Sequence, residues 1–253
     1  MEQQIKNSWA VILGGSSGLG LASVQELASL GYHVCIVHRD RKSNVNEFET
    51  IIAQLKNTGV NIKTFNKDAL KNETIDAVLS ALPNNSVSVL LHSIAKGSLK
   101  PLSEMTIQDI EITSHAMAYS WWQWTTALIQ QNKFSETVQN IAFTSEGSSK
   151  AWKGYGAVSI AKASLESLMR QMALEYAPLG IRSNCIQAGA TLTKAFEQIP
   201  NSSQLAEAAK KRNPFKRLTT PKDVANVVGL MCSDKAQWIN GTIIKVDGGE
   251  SNQ

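Results

Sequence analysis

Cysteine is scarce in this chain. Its three residues, Cys35, Cys185 and Cys232, are odd in number and widely spaced over 253 positions. That excludes a disulfide-stapled fold and gives no support to a zinc site; the three read as buried reduced thiols, and no metal is expected. Long hydrophobic runs are missing too: none approaches the roughly 18 residues that would span a bilayer. The opening MEQQIKNSWAVILGG passes from a short polar lead into an apolar strand, without a charged-then-apolar targeting pattern. A cytoplasmic protein with no membrane partner is the expectation. Six prolines and sixteen glycines are too few for linker or collagen-like tracts. The net charge of +4 is mild and forms no basic stripe, so nucleic acid is not an expected partner.

An apolar share of 43% with 18% charged residues is globular composition. The length suits one large domain, and without repeat or hinge a single domain over 1–253 is expected. Short apolar runs predict strands over 10–14, 33–38, 62–65, 87–92, 138–143, 181–187 and 242–246. Helix-periodic stretches lie between them, over 18–30, 45–57, 71–82, 107–131, 157–176 and 222–232. Strands alternating with helices imply right-handed crossovers and a parallel sheet covered on both faces. The reading is α/β: a doubly wound Rossmann arrangement, mostly a seven-stranded parallel sheet, with ligands at the carboxyl ends of the strands.

The first strand runs into Gly14-Gly15-Ser16-Ser17-Gly18-Leu19-Gly20, and a helix follows. Glycines at 14, 18 and 20 let the backbone turn tightly and approach a pyrophosphate, which the helix N-terminus faces with unpaired N–H groups. Ser16, Ser17 and Leu19 complete this candidate phosphate loop. At the second strand's tip, where an acidic side chain would favour NADH, stand His38 and Arg39. A guanidinium there suits a 2′-phosphate, so NADPH is favoured over NADH, although Asp40 follows one position later. Asp68, after the third strand, is a candidate adenine contact or a loop cap.

Four segments together resemble the short-chain dehydrogenase/reductase family over essentially the whole chain: the glycine loop, Ala161-Lys162-Ala163-Ser164-Leu165-Glu166, Ile181-Arg182-Ser183-Asn184 and Val246-Asp247-Gly248-Gly249. The departures are informative. The commonest family pattern has tyrosine four residues before the lysine and serine seventeen before it. Ser145 is seventeen before Lys162, but the tyrosine position holds Val158, and the nearest phenol is Tyr155, seven before the lysine. That spacing resembles the enoyl-acyl-carrier-protein reductases of NADPH type. So do Ser93, Ile94 and Ala95 after His92, and Gly189 with Thr191 and Thr193 after the sixth strand. Ten residues before Tyr155, where many enoyl reductases carry a second tyrosine, stands Ser145.

The resemblance implies catalytic roles for Tyr155, Lys162 and Ser145. Tyr155 would stabilise an enolate oxygen; Lys162 would bind the nicotinamide ribose and lower the phenol's pKa. Thr191, Thr193, Gly189 and residues 93–95 would hold the cofactor. The substrate implied is an enoyl thioester of fatty acid biosynthesis, on acyl carrier protein or coenzyme A, and the assembly a homotetramer. Two readings compete: a carbonyl reductase acting on 3-oxoacyl thioesters or another ketone, and a catalytically weak nucleotide-binding regulator. Residues 190–214 are expected to form a substrate lid. Lys210-Lys211-Arg212 is a candidate dock for an acidic carrier or simply a solvated helix face. Trp121, Trp122 and Trp124 are expected in a core or subunit interface.

Overall fold

The computed structural model describes residues 7–199 and 201–252, with only the backbone of 42–47. Strands β1 (Trp9–Leu13) and β2 (His33–His38) are buried at every position. Side chains alternate faces along a strand, so both faces of the sheet are covered. Val11, Leu13, Cys35 and Val37 pack with residues of α3 (Asn72–Ser80), α5 (Ser120–Gln130) and α6 (Gly156–Glu175). Ala10, Ile12, Val34 and Ile36 pack with α1 (Gly18–Ser29), α2 (Lys42–Lys56) and α9 (Pro221–Met231) on the other side.

The remaining strands are β3 (Ile62–Asn66), β4 (Val87–His92), β5 (Phe134–Thr144), β6 (Ile181–Ala188) and β7 (Ile243–Val246). All pairings are parallel, in the order β3-β2-β1-β4-β5-β6-β7. The chain winds outward from β1 to β3 and returns to start again at β4. This reversal opens a crevice between the carboxyl ends of β1 and β4. The Ser93 N–H donates to the Leu13 carbonyl at 2.8 Å, carrying the pairing past the strand ends into that crevice.

Six of the seven strands lie within one residue of their expected bounds. The exception, β5, begins at Phe134 rather than at 138. Its first residues are polar, and its register against β4 shifts between Val87 and Val89, so no apolar run marks them. The single helix expected over 107–131 is interrupted. Helix α4 (Ile107–Ser114) passes through a π turn, His115–Tyr119, before α5. A side chain enters the helical ladder there: the Ser120 hydroxyl donates to the Ala116 carbonyl at 2.9 Å and meets His92 Nε2 at 2.8 Å. Because the Ser120 proton is committed, the ring N–H donates to the serine. Trp121 and Trp124 are fully buried, their indole N–H groups donating to Asn140 Oδ1 and the Ala69 carbonyl, while Trp122 is 45% exposed. Among the described residues no helix is long and apolar enough to cross a membrane, and no His, Cys, Asp and Glu group could hold a metal ion.

Candidate active site

The turn from β1 into α1 leaves space that only glycine permits. Gly14 has φ of +84°, and a Cβ on it would lie 2.6 Å from the Ser93 carbonyl oxygen. A Cβ on Gly20 would stand 2.1 Å from the Gly14 oxygen. Ser17, at the helix N-cap, is extended and its side chain makes no capping bond, so the first N–H groups of α1 keep no side-chain acceptor. Thr193 closes over the loop, its Cγ2 within 3.3 Å of a Cβ built on Gly18. This cradle fits a dinucleotide pyrophosphate: bare backbone at the turn, helix N–H groups behind it, and Ser93 and Thr193 at its sides. Ile94 packs toward the core and Ala95 is exposed. Gly189 is pressed against Thr219 and Asp247, and Thr191 is buried with its hydroxyl on the Gly189 carbonyl, so both shape the wall beside Thr193.

At the tip of β2 the two candidates differ. His38 is buried, its ring centroid 4.6 Å from that of Phe48 and its Nδ1 2.8 Å from Asp40 Oδ2. That imidazole is taken up inside the chain. Arg39 is 60% exposed, and its Nη1 lies 2.8 Å from Asp68 Oδ2. Arg39 and Asp68 are thus partners of one another, at the edge where an adenosine would end. An exposed pair of this kind contributes little to stability and separates readily for a stronger partner.

Tyr155 stands immediately before α6, as its N-cap, so the helix has not begun at the phenol. The ring lies against bare backbone: a Cβ on Gly147 would come within 2.4 Å of it. The Tyr155 hydroxyl is 3.3 Å from Ser145 Oγ, which also accepts from the Gly147 N–H at 3.1 Å. Burial raises the phenol's pKa above its ordinary value; the Ser145 hydrogen bond opposes this and the Glu146 charge adds to it. Lys162 is 8% exposed and donates to the Phe143 carbonyl at 2.8 Å; burial pulls its ammonium down to about 8. The phenol, its pKa raised by burial, keeps its proton at neutral pH. Val158 is closed into an apolar cluster with Met117 and Ala161, against Leu99 and Tyr155. The loop after β4 seals that cluster, since a Cβ on Gly97 would meet Thr113, Met117 and Val158.

Residues 190–214 contain two helices, α7 (Lys194–Glu197) and α8 (Ser202–Arg212). Of the three basic residues ending α8, Lys210 and Lys211 are exposed, whereas Arg212 turns inward. Its Nη2 lies 2.6 Å from Glu250 and 3.5 Å from Glu146, and its guanidinium stacks 5.5 Å from the Trp152 ring. Glu250, nearly buried, also accepts from the Ala190 N–H at 3.2 Å. Glu250 thus ties α8 to the β6 exit, and Arg212 reaches on from α8 to the loop that leads to Tyr155. Glu250→Ala should lower unfolding free energy by about 2–3 kcal/mol, a buried-pair loss discounted for the partly exposed arginine. Urea titration checks this; an unchanged midpoint would show that the tie contributes nothing. Neither Glu250 nor Gly147 was marked by any sequence motif, because each acts through a contact distant along the chain.

A glycine cradle at the switch point of a parallel sheet, with a phenol, a hydroxyl and a buried lysine near the exit of β5, defines a dinucleotide-dependent oxidoreductase. A family model described as enoyl-(acyl carrier protein) reductase matches residues 14–251. The chain belongs to the short-chain dehydrogenase/reductase superfamily and is an NAD(P)-dependent oxidoreductase of that class. It is 30% identical over 255 residues to a probable 2,4-dienoyl-CoA reductase of Bacillus subtilis, covering 95% of each chain. An uncharacterized oxidoreductase of the same organism is 25% identical, over 96% of this chain and 98% of that one. L-sorbose reductase from Gluconobacter frateurii, solved with NADPH and L-sorbose, superposes with a TM-score of 0.86 at 23% identity, covering both chains fully.

Proposed function

We propose that the protein reduces the trans-2 double bond of an enoyl thioester with NADPH, in the cytoplasm and on an acyl carrier or coenzyme A. The observation that carries this reading is the placement of the phenol. Tyr155 stands outside the helix, seven residues before Lys162, while the position four before Lys162 is a sealed valine. The probable dienoyl-CoA reductase of Bacillus subtilis, whose name makes a (2E)-enoyl-CoA its product, supports an unsaturated acyl thioester as the substrate class but not the reduction of its trans-2 bond.

When bound, NADPH supplies a hydride to the β-carbon. Negative charge then develops on the thioester oxygen, and Tyr155 donates a hydrogen bond to it. A phenol whose pKa is raised by burial is suited to this, because it keeps its proton and can donate as the charge appears. Ser145 orients the phenol, and Lys162 presents its charge beside the Phe143 carbonyl where a ribose would lie. The enolate's α-carbon takes its proton from water. The glycine cradle, Thr193 and Ser93 hold the cofactor's phosphates and fix its approach.

A carbonyl reductase is the second reading, and the Ser145–Tyr155 contact of 3.3 Å favours it, since the two hydroxyls can grip one carbonyl oxygen. Purified protein should oxidise NADPH with crotonyl or longer enoyl thioesters and not with acetoacetyl thioesters. Turnover of acetoacetyl thioesters alone would favour the second reading. NADPH binding without turnover of either would make the protein a nucleotide-binding regulator.

Arg39 tests the choice of cofactor. Losing a charge-assisted hydrogen bond worth about 1.5–3 kcal/mol should weaken NADPH roughly 10- to 100-fold in Arg39→Ala. Dissociation constants from nicotinamide fluorescence check this, with NADH affinity expected to change little. An equal loss for both dinucleotides would remove the 2′-phosphate role.

A further inference from the structure

Besides Lys162, a buried carboxylate stands on the same face of α6. Glu166 lies four residues after Lys162 on α6, so the two side chains point the same way one turn apart. Both are less than a tenth exposed. Their bonds fall on consecutive residues at the end of β5. Lys162 donates to the Phe143 carbonyl at 2.8 Å, and Glu166 Oε1 accepts from the Thr144 hydroxyl at 2.6 Å. The next residue is Ser145, whose hydroxyl meets Tyr155. Two rungs from α6 therefore secure the strand end that presents the serine.

We propose that Glu166 is a positioning residue of this site: through Thr144 it holds the end of β5 so that Ser145 faces Tyr155, and its buried carboxylate, one helical turn away, is the counter-charge to Lys162. The inference rests on Tyr155 and Lys162 being the reacting pair.

The surroundings of Lys162 show why an acid is needed. Burial removes hydration from the ammonium and lowers its pKa to about 8, with Cys185 and Glu166 acting in the opposite direction. Cys185, on β6, is fully buried; burial above all, and then Glu166, push its thiol far up, so it is neutral wherever the lysine titrates. His92, on β4, is held down to about 3 by burial and by Lys162 itself, and is neutral as well. Arg170, one turn past Glu166, is exposed and positive. Of the two groups that act to raise the Lys162 pKa, Cys185 and Glu166, Glu166 is the carboxylate on the same face of α6.

The test separates charge from placement. Titration of Lys162 is followed in the cofactor-free protein by NMR of 13Cε-labelled lysine, its resonance identified by loss in Lys162→Met. Glu166→Gln keeps an acceptor for Thr144 and removes the charge; the Lys162 midpoint should fall by about one pH unit. Thr144→Val keeps the charge and removes the rung; the midpoint should stay, while kcat with an enoyl thioester should drop about 10-fold at unchanged KM for NADPH. Glu166→Asp should recover part of the midpoint shift, and serves if Glu166→Gln folds poorly. An unmoved midpoint in Glu166→Gln overturns the charge role, and wild-type kcat in Thr144→Val overturns the placement role. Full activity of Tyr155→Phe in the same assay would instead remove the reacting pair, an outcome the NMR midpoint does not depend on.

Discussion

Tyr155→Phe should lower kcat for enoyl thioester reduction by about 100- to 1,000-fold, the usual cost of removing one donor aimed at a developing oxyanion. NADPH affinity should stay within about twofold, because the phenol faces Ser145 and not the glycine cradle. The ring remains in place against Gly147, whose bare backbone accommodates it, so the loss isolates the hydroxyl. Stopped-flow measurement of single-turnover NADPH oxidation, beside a fluorescence titration of binding, distinguishes the two effects. A phenylalanine variant with near-wild-type turnover would move the proton-donating role elsewhere. Val158 offers no alternative, since an aliphatic side chain sealed under Gly97 has nothing to donate.

The second large effect is expected at the cradle. In Gly20→Ala the added methyl would fall 2.1 Å from the Gly14 oxygen and 3.0 Å from Ser93 Oγ. Backbone cannot yield as a flexible side chain does, and overpacking of this kind costs about 3 kcal/mol. NADPH should therefore bind on the order of 100-fold more weakly. Gly18→Ala gives a milder version: its φ of +54° disfavours alanine, but the nearest contact, Thr193 Cγ2, lies 3.3 Å away. About a tenfold loss is expected there, and isothermal titration calorimetry measures both. Wild-type affinity in both variants would mean that this turn does not hold the pyrophosphate.

The layout of the sheet was legible because buried parallel strands announce themselves as continuous apolar runs. His33–His38 and Val87–His92 fall on their expected bounds for that reason. The beginning of β5 was not legible, since its residues are polar and bulged. Nor was the π turn after α4, beside which His92 and Ser120, 28 residues apart, are bonded. In the site, the family resemblance brought Tyr155, Ser145 and Lys162 into view, and the structure places the two hydroxyls together. Their pKa values were less readable. The phenol's environment is set by burial, which spacing does not report, and the Lys162 bond to the Phe143 carbonyl depends on an approach of α6 to β5 that spacing does not report either. His38 and Arg39 show the same limit. Both were candidates at the strand tip, but packing on Phe48 buries one and leaves the other at the surface, paired with Asp68. Glu250 had no motif to mark it, and Glu166, though it closes the segment 161–166, had no visible role, because their partners lie 38 and 22 residues away in sequence.

The central claim is that hydride reaches a carbon of a conjugated double bond. Its most direct test follows the label from NADPH stereospecifically deuterated at the nicotinamide C4, on each face in turn, with crotonyl thioester as substrate and NMR of the butyryl product. One deuteron at C3, delivered from one labelled face only, is the predicted result. Deuterium at the carbon of a reduced ketone when acetoacetyl thioester is supplied, with crotonyl thioester recovered unchanged, would contradict it.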